Sequence, residues 1–299
     1  MIKLNTNRLV FLLVLFFLTA PLQVFASGVV LPGITQIADS GSASSPALWW
    51  LDHDTVTPDT ARFVLGGSGK NYNQLTVDAD YSFTASTGLL VGANNSFHNM
   101  LDIQAGGDVT VSGTLKVGEG SIMYYSRYNG IKVSGADAVL AVNGYFDMSN
   151  GYNATDNFLE LSNGGIAVVD GTFSLYNHWA YGNSWLELDG GALFLSDNKT
   201  ADFGDTKGIL SSIKVWDDVS GAYQRVAEYS YTTFNTTDYL DLLAVDYIQD
   251  SAQAASLGFS DDYVGFTVVR NVNSVPIPGA VWLLGSGLLG LVGVRRKKG

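Results

Sequence analysis

Residues Leu101–Val117 read LDIQAGGDVTVSGTLKV. Apolar side chains fall at alternate positions in three short runs, Leu101/Ile103, Val109/Val111 and Leu115/Val117, separated by Gly106-Gly107 and Gly113. Strict alternation over a few residues is the pattern of a strand with one face buried, and Gly between such runs marks a corner. The layout recurs. The first pair reappears as Leu75/Val77, Ile131/Val133, Leu159/Leu161 and Leu186/Leu188, so that successive first members lie 26, 30, 28 and 27 residues apart. Two or three residues on stands a Gly pair or its equivalent: Gly135-Ala136, Gly164-Gly165, Gly190-Gly191. A second run follows (Val139; Val168/Val169; Leu193/Leu195), and Gly144 or Gly171 then opens a third (Phe146/Met148; Phe173/Leu175).

A unit of three brief strands cannot bury its inward side chains alone, but stacked copies share one apolar bore. The expected fold is therefore all-β, a parallel β-solenoid (β-helix) of about 26–30 residues per coil, each coil adding one rung to three sheets. A two-sheet sandwich also has short strands and turns, but it supplies no reason for the period. The repeat resembles the passenger-like β-helix repeats of surface-exposed bacterial proteins. Working outward, residues 75–205 form the solenoid. Residues 27–74, with the Ser/Gly-rich stretch 40–47 and Trp49-Trp50, are expected to cap it, since an open end leaves strand edges unpaired. Residues 206–272 lose the Gly pairs and read as terminal coils or a β-appendage, with a short helix within Leu240–Ala255.

The two ends read as addresses. Residues 1–26 combine a basic start (Lys3, Arg8), an apolar run from Leu9 to Ala20, Pro21, and Val24-Phe25-Ala26, which is the layout of a signal peptide cleaved between Ala26 and Ser27. In residues 275–299, Val275-Pro276-Ile277-Pro278 precedes a 15-residue apolar block containing Trp282, and Arg295, Arg296, Lys297 and Lys298 follow it. As a helix the block is about 22 Å long against a hydrocarbon core of about 30 Å, a short transmembrane helix that spans with help from Trp282 and the basic end. The basic cluster keeps that end cytoplasmic and the bulk of the chain outside.

This tail, VPIPGAVWLLGSGLLGLVGVRRKK, resembles the PEP-CTERM sorting segment of exported bacterial proteins: a short Pro-containing motif, a Gly-rich hydrophobic helix and a basic terminus. Ile277 stands where the family's Pro-Glu-Pro carries Glu. The resemblance implies signal peptidase and an exosortase as export partners. It also implies cleavage near Pro276–Pro278, transient anchoring in the inner membrane, and a final place on the cell surface or in an extracellular matrix linked to exopolysaccharide or biofilm.

Composition narrows the chemistry. Sixteen Lys+Arg face 28 Asp+Glu, for a formal charge of −12, so nucleic acid is excluded as a partner for want of a basic face. Six of the cations lie in the leader and tail; without them the body keeps 10 against 28, a net of −18. The lack of Cys removes thiolate metal sites, cysteine nucleophiles and disulfides. His53, His98 and His178 fit no metal-ligand spacing. No cofactor is expected beyond weak Ca²⁺ binding at Asp clusters: Asp52/Asp54, Asp78/Asp80, Asp217/Asp218 and Asp261/Asp262.

No catalytic residue is expected, and the chain reads as a non-enzymatic structural or adhesive protein. The alternative is a secreted β-helix polysaccharide lyase or glycoside hydrolase. It would need clustered carboxylates, for which Asp108 and Asp137, placed alike after their Gly corners, are the candidates. A binding edge is more legible. The loops joining one coil's third strand to the next coil's first carry Phe97/His98, Tyr124/Tyr125/Tyr128, Tyr152 and Trp179/Tyr181 among Asn residues. Aromatic faces flanked by amides suit polysaccharide, so Tyr124, Tyr125, Tyr128, Tyr152, Trp179 and Tyr181 are candidate glycan contacts; packing over the solenoid shoulder would explain the same aromatics.

Overall fold

A computed structural model describes residues 27–29, 35–79, 81–121, 123–150, 153–175, 184–204, 209–230 and 233–272. The signal peptide, the sorting residues Val275 to Lys298, and the loop aromatics Tyr152, Trp179 and Tyr181 lie outside the described residues. No helix among the described residues is long and apolar enough to cross a membrane.

The body is a parallel β-solenoid of about six turns. Each coil runs through three sheets in the same order. Sheet I stacks Ala47–Trp50, Asn73–Val77, Met100–Ile103, Gly130–Ser134, Asn157–Ser162 and Ser184–Asp189. Sheet II stacks Thr55–Val56, Ser82–Ala85, Asp108–Val111, Val139–Val142, Ile166–Val169 and Ala192–Ser196. Sheet III stacks Phe63–Leu65, Gly88–Val91, Thr114–Glu119, Phe146–Asn150 and Phe173–Leu175.

The period set by the apolar pairs is the register of sheet I. Leu75, Leu101, Ile131, Leu159 and Leu186 are directly paired, as are Val77, Ile103, Val133, Leu161 and Leu188. All ten are fully buried, and with the inward residues of sheets II and III they form one continuous core. In sheet II the inward residues of two coils are not all among those singled out in the sequence. Leu140/Val142 and Ala167/Val169 point in, while Val139 and Val168 are only partly covered. These coils carry apolar residues on both faces of the strand, so alternation alone does not fix which face is inside.

The Gly pairs at the first corner have two separate causes. Gly106 has φ +76°, a left-handed turn. Gly107 lacks room instead: a Cβ there would stand 2.5 Å from the carbonyl oxygen of Val77 in the preceding coil.

The two flanks continue the stack at one end and close it at the other. The segment 27–74, expected as a cap, supplies rungs of its own, with Trp49 paired to Leu75, Thr55 to Phe83 and Phe63 to Leu89. It escaped the repeat pattern because its second strand is only two residues long. At the far end Ile213–Asp217 adds a last parallel rung to sheet I and then pairs antiparallel with Ala222–Arg225. Phe266–Asn271 lies antiparallel on Ala192–Ser196 and carries Leu243–Tyr247. Reversing strand direction ends the stack, so residues 206–272 act as both a last rung and a closing cap. The expected helix is confined to Ser251–Leu257, capped by the Asp250 side chain.

Candidate functional site on the loop edge

The loops from sheet III back to sheet I form one edge of the solenoid, and a column of buried Asn residues fixes where each loop rejoins the coil. Asn73, Asn99, Asn129 and Asn157 have no exposed surface. Asn99 Oδ1 accepts from the backbone N–H (3.1 Å) and the Nδ2 (2.8 Å) of Asn73. Asn129 Oδ1 accepts the same two bonds from Asn99 at 3.0 and 2.9 Å, and Asn157 Oδ1 from Asn129 at 3.0 and 3.2 Å. Further amide protons go to loop oxygens: Asn99 to the Lys70 carbonyl (3.0 Å), Asn129 to the Ser126 hydroxyl (3.1 Å), and Asn157 to the Ser126 carbonyl (3.2 Å). At the N-terminal end the register places Ala47 before Asn73, and Asn73 Oδ1 is left buried without a partner.

Each amide also fills a space that a side chain would close. A Cβ on Gly92 would stand 2.2 Å from the Asn129 Cγ, and Gly66 and Gly118 face Asn99 and Asn157 in the same way. The ladder was legible as Asn-x-Leu/Ile before each first strand (Asn73-x-Leu75, Asn99-x-Leu101, Asn129-x-Ile131, Asn157-x-Leu159), with the same spacing as the apolar pairs. The Asn residues beside the loop aromatics, taken as amide donors for a ligand, include three of these, Asn99, Asn129 and Asn157, and the ladder uses them internally.

Outside the ladder, the residue preceding each Asn has left-handed backbone: Tyr72 (φ 58°), His98 (56°), Tyr128 (56°) and Asp156 (56°). That conformation turns successive side chains out along one line. The rings of Tyr72 and His98 stack at 4.7 Å, and those of His98 and Tyr128 at 4.9 Å, all within 10° of parallel. Partial burial in this stack holds the His98 imidazole below its usual pKa. The column ends at Tyr128, because the next coil places Asp156 there.

The loop before Tyr128 carries two further exposed aromatics, Tyr124 and Tyr125. Ser121 and Tyr124 close a tight turn through reciprocal backbone bonds of 3.0 and 3.2 Å, which presents Met123, Tyr124 and Tyr125 outward. Ser126–Arg127 then joins a short parallel sheet with Ser96–Phe97 and Ala154–Thr155. The Arg127 guanidinium lies 4.4 Å from the Tyr125 ring centroid. Of the six candidate glycan residues, the structure thus places Tyr124, Tyr125 and Tyr128 together, exposed at 47%, 44% and 45%. One ring face of Tyr125 is taken by Arg127 and one of Tyr128 by His98.

The acidic candidates come apart. Asp108 pairs with Ser82 and Val139, so it does not share a column with Asp137, which turns a corner with φ 61°. The two coils differ in the residues between Gly corner and strand, so matching positions after the Gly do not give matching register. Asp54 accepts from the Ser82 backbone N–H (2.8 Å) and hydroxyl (3.0 Å), which holds its carboxyl below the usual range. Asp217 accepts from the backbone N–H groups of Val219 and Ser220 across its own turn. Among the described residues no three His, Asp or Glu side chains are grouped to hold a metal.

A charged stripe that sequence reading passed over lies on the outer face of sheet I. Asp102, Lys132, Glu160, Glu187 and Lys214 occupy consecutive rungs. Lys132 pairs with Glu160 (3.0 Å) and Lys214 with Glu187 (2.7 Å). Burial and the nearby carboxylates of Asp218 and Glu160 push Asp189 up at its border.

Fold and edge together define a capped parallel β-solenoid with exposed aromatics on its loop edge. Comparison of the chain with protein-family models, curated proteins and solved structures finds no match.

Proposed function

We propose that the chain is an exported structural or adhesive protein of the cell surface or extracellular matrix, sorted by an exosortase, whose loop edge holds polysaccharide. The observation that carries the reading is the pairing of a leader ending at Ala26 with the tail VPIPGAVWLLGSGLLGLVGVRRKK. Cleavage after Ala26 leaves Ser27–Val29 as a strand on Leu48–Trp50, so the mature chain would begin where the solenoid begins. A stacked, cross-braced body with its aromatics on one edge suits a scaffold that presents a surface. A catalytic cleft would call for convergent titratable groups.

The test is the intact mass of the extracellular protein in hosts with and without an exosortase. The expected product lacks both the leader and the segment beyond about Pro278, and the tail persists when the exosortase is missing. A tail retained in both hosts would refute sorting. Incubation with candidate polysaccharides should release no reducing ends and create no unsaturation. Turnover that disappears when a body carboxylate is replaced would establish the lyase or hydrolase alternative.

A further inference from the structure

We infer that Arg127, with Tyr125 and Tyr128 on either side, is the anion-recognising group of a subsite for a carboxylated sugar, a uronate. The inference rests on the glycan reading of the loop edge and names the class of sugar that edge selects.

The first observation is an unpaired cation in an acid-rich body. Arg62, Lys116, Lys132, Lys214 and Arg270 each lie within 4.0 Å of a carboxylate. Arg127 has no such partner among the described residues, and its Nε is buried without a hydrogen bond. Lys70, Lys199 and Arg225 also lack a carboxylate partner among the described residues, but of these four cations Arg127 alone has a buried nitrogen left without a hydrogen bond. Here the fold keeps the guanidinium and withholds the anion.

The second observation is how the group is held. Stacking on Tyr125 at 4.4 Å covers a face of the guanidinium and leaves its donors in the plane of the fork, the arrangement that meets a carboxylate with two parallel N–H···O bonds. The backbone on both sides is fixed: Ser126 N–H donates to the Asn153 carbonyl (3.1 Å) and Tyr128 N–H to the Thr155 carbonyl (3.3 Å). Little side-chain or loop ordering is left for binding to impose.

The third is the neighbouring surface. Among the described residues Tyr128 terminates the ring column, and with 45% of its surface exposed it offers a ring to the C–H face of a pyranose. The net charge of −18 does not forbid an anionic ligand, because charges beyond a Debye length of about 8 Å are largely screened at physiological ionic strength. Asp156, one coil on, disfavours a second carboxylate at that rung.

The experiment is titration of the purified full chain with a uronate-containing tetrasaccharide and with its carboxyl-reduced, neutral counterpart. The expected result is at least tenfold tighter binding of the acidic form, narrowing as salt is raised. Arg127→Gln should remove that preference, Arg127→Lys should keep part of it, and Arg62→Gln should keep all of it. Tyr125→Ala should weaken both sugars. Circular dichroism of each variant establishes that the solenoid is intact. Equal wild-type binding of the two sugars overturns the uronate subsite and leaves the glycan reading standing. Binding of neither sugar overturns both. An Arg127→Gln variant that still prefers the acid also refutes the assignment to Arg127.

Discussion

Asn129 is the residue through which the loop edge and the core can be tested together. Replacing it with Ala deletes the acceptor of two bonds from Asn99, at 3.0 and 2.9 Å, and the donor of three, to Asn157, Ser126 and Ser96. The Asn99 backbone N–H then has no partner in a position with no exposed surface. A buried donor left unsatisfied costs about 1–3 kcal/mol. The vacated space beneath Gly92 adds a cavity, so the expected loss is about 3–4 kcal/mol. Gly92→Ala should lose a comparable amount for two reasons. Its φ of +81° is strained for any residue with a Cβ, by about 1–2 kcal/mol. In addition, that Cβ would stand 2.2 Å from the Asn129 Cγ.

The steric part of the Gly92→Ala cost exists only while Asn129 keeps its side chain. The double variant should therefore lose at least about 1 kcal/mol less than the sum of the two single losses, a coupling typical of residues in direct contact. Urea unfolding of the wild type, both single variants and the double closes the cycle. Solenoids can unfold in steps, so hydrogen exchange at Asn99 and Ile131 should report the same order locally. Additive losses, or an Asn129→Ala cost under about 1 kcal/mol, would refute the claim that the ladder is a satisfied and tightly packed network.

Other outcomes follow from the same geometry. Ile131→Ala, in the middle of the bore and fully buried, should cost about 2–5 kcal/mol by midpoint shift in urea, whereas Val219→Ala, at a turn position 95% exposed, should cost under about 0.5. Gly107→Ala should cost more than about 2 kcal/mol, because the atom in its way is the Val77 carbonyl, which a side-chain rotation cannot move. His98 titrates below its ordinary value because burial disfavours the imidazolium. The unfolded chain therefore binds the proton first, and stability should fall as pH drops from about 6.5 through the lower folded value. His98→Gln should flatten thermal stability in that window. The loss from Asp54 and Asp217, both held below their usual values, comes only at lower pH, beneath about 3.9.

Sheet I was legible in the sequence because one face of each strand is apolar and the other is not, so Leu101/Ile103 and their equivalents allow a single inward assignment. Sheet II was less legible for the opposite reason. Val139-Leu140-Ala141-Val142 offers apolar residues to both faces, and only the stacking of neighbouring coils decides between them. The rungs before Leu75 were hidden by brevity: a two-residue strand such as Thr55–Val56 has no period to detect. The aromatic edge could be located but not its geometry. The Tyr72–His98–Tyr128 column depends on three left-handed residues, and two of them are Tyr, which is not among the residue types enriched in that conformation.

The ladder also explains how coils of 26, 30 and 28 residues keep one register. A loop that varies in length must leave and re-enter the stack at fixed points, or the slip would turn every inward side chain of the next strand outward. The exit is the left-handed Gly at 66, 92 and 118; the return is the Asn two residues before the next strand's first core position. Between these points the chain is free to lengthen. The four extra residues of the third coil are spent there, on the turn that displays Tyr124, Tyr125 and Arg127. Four residues removed from within 119–125 should therefore abolish any function of this edge while leaving the core and its unfolding midpoint nearly unchanged. The same four residues removed from 131–134 should prevent folding. A deletion within 119–125 that proved as destabilising as one in the strand would show that the loop, and not the Gly–Asn frame, holds the register.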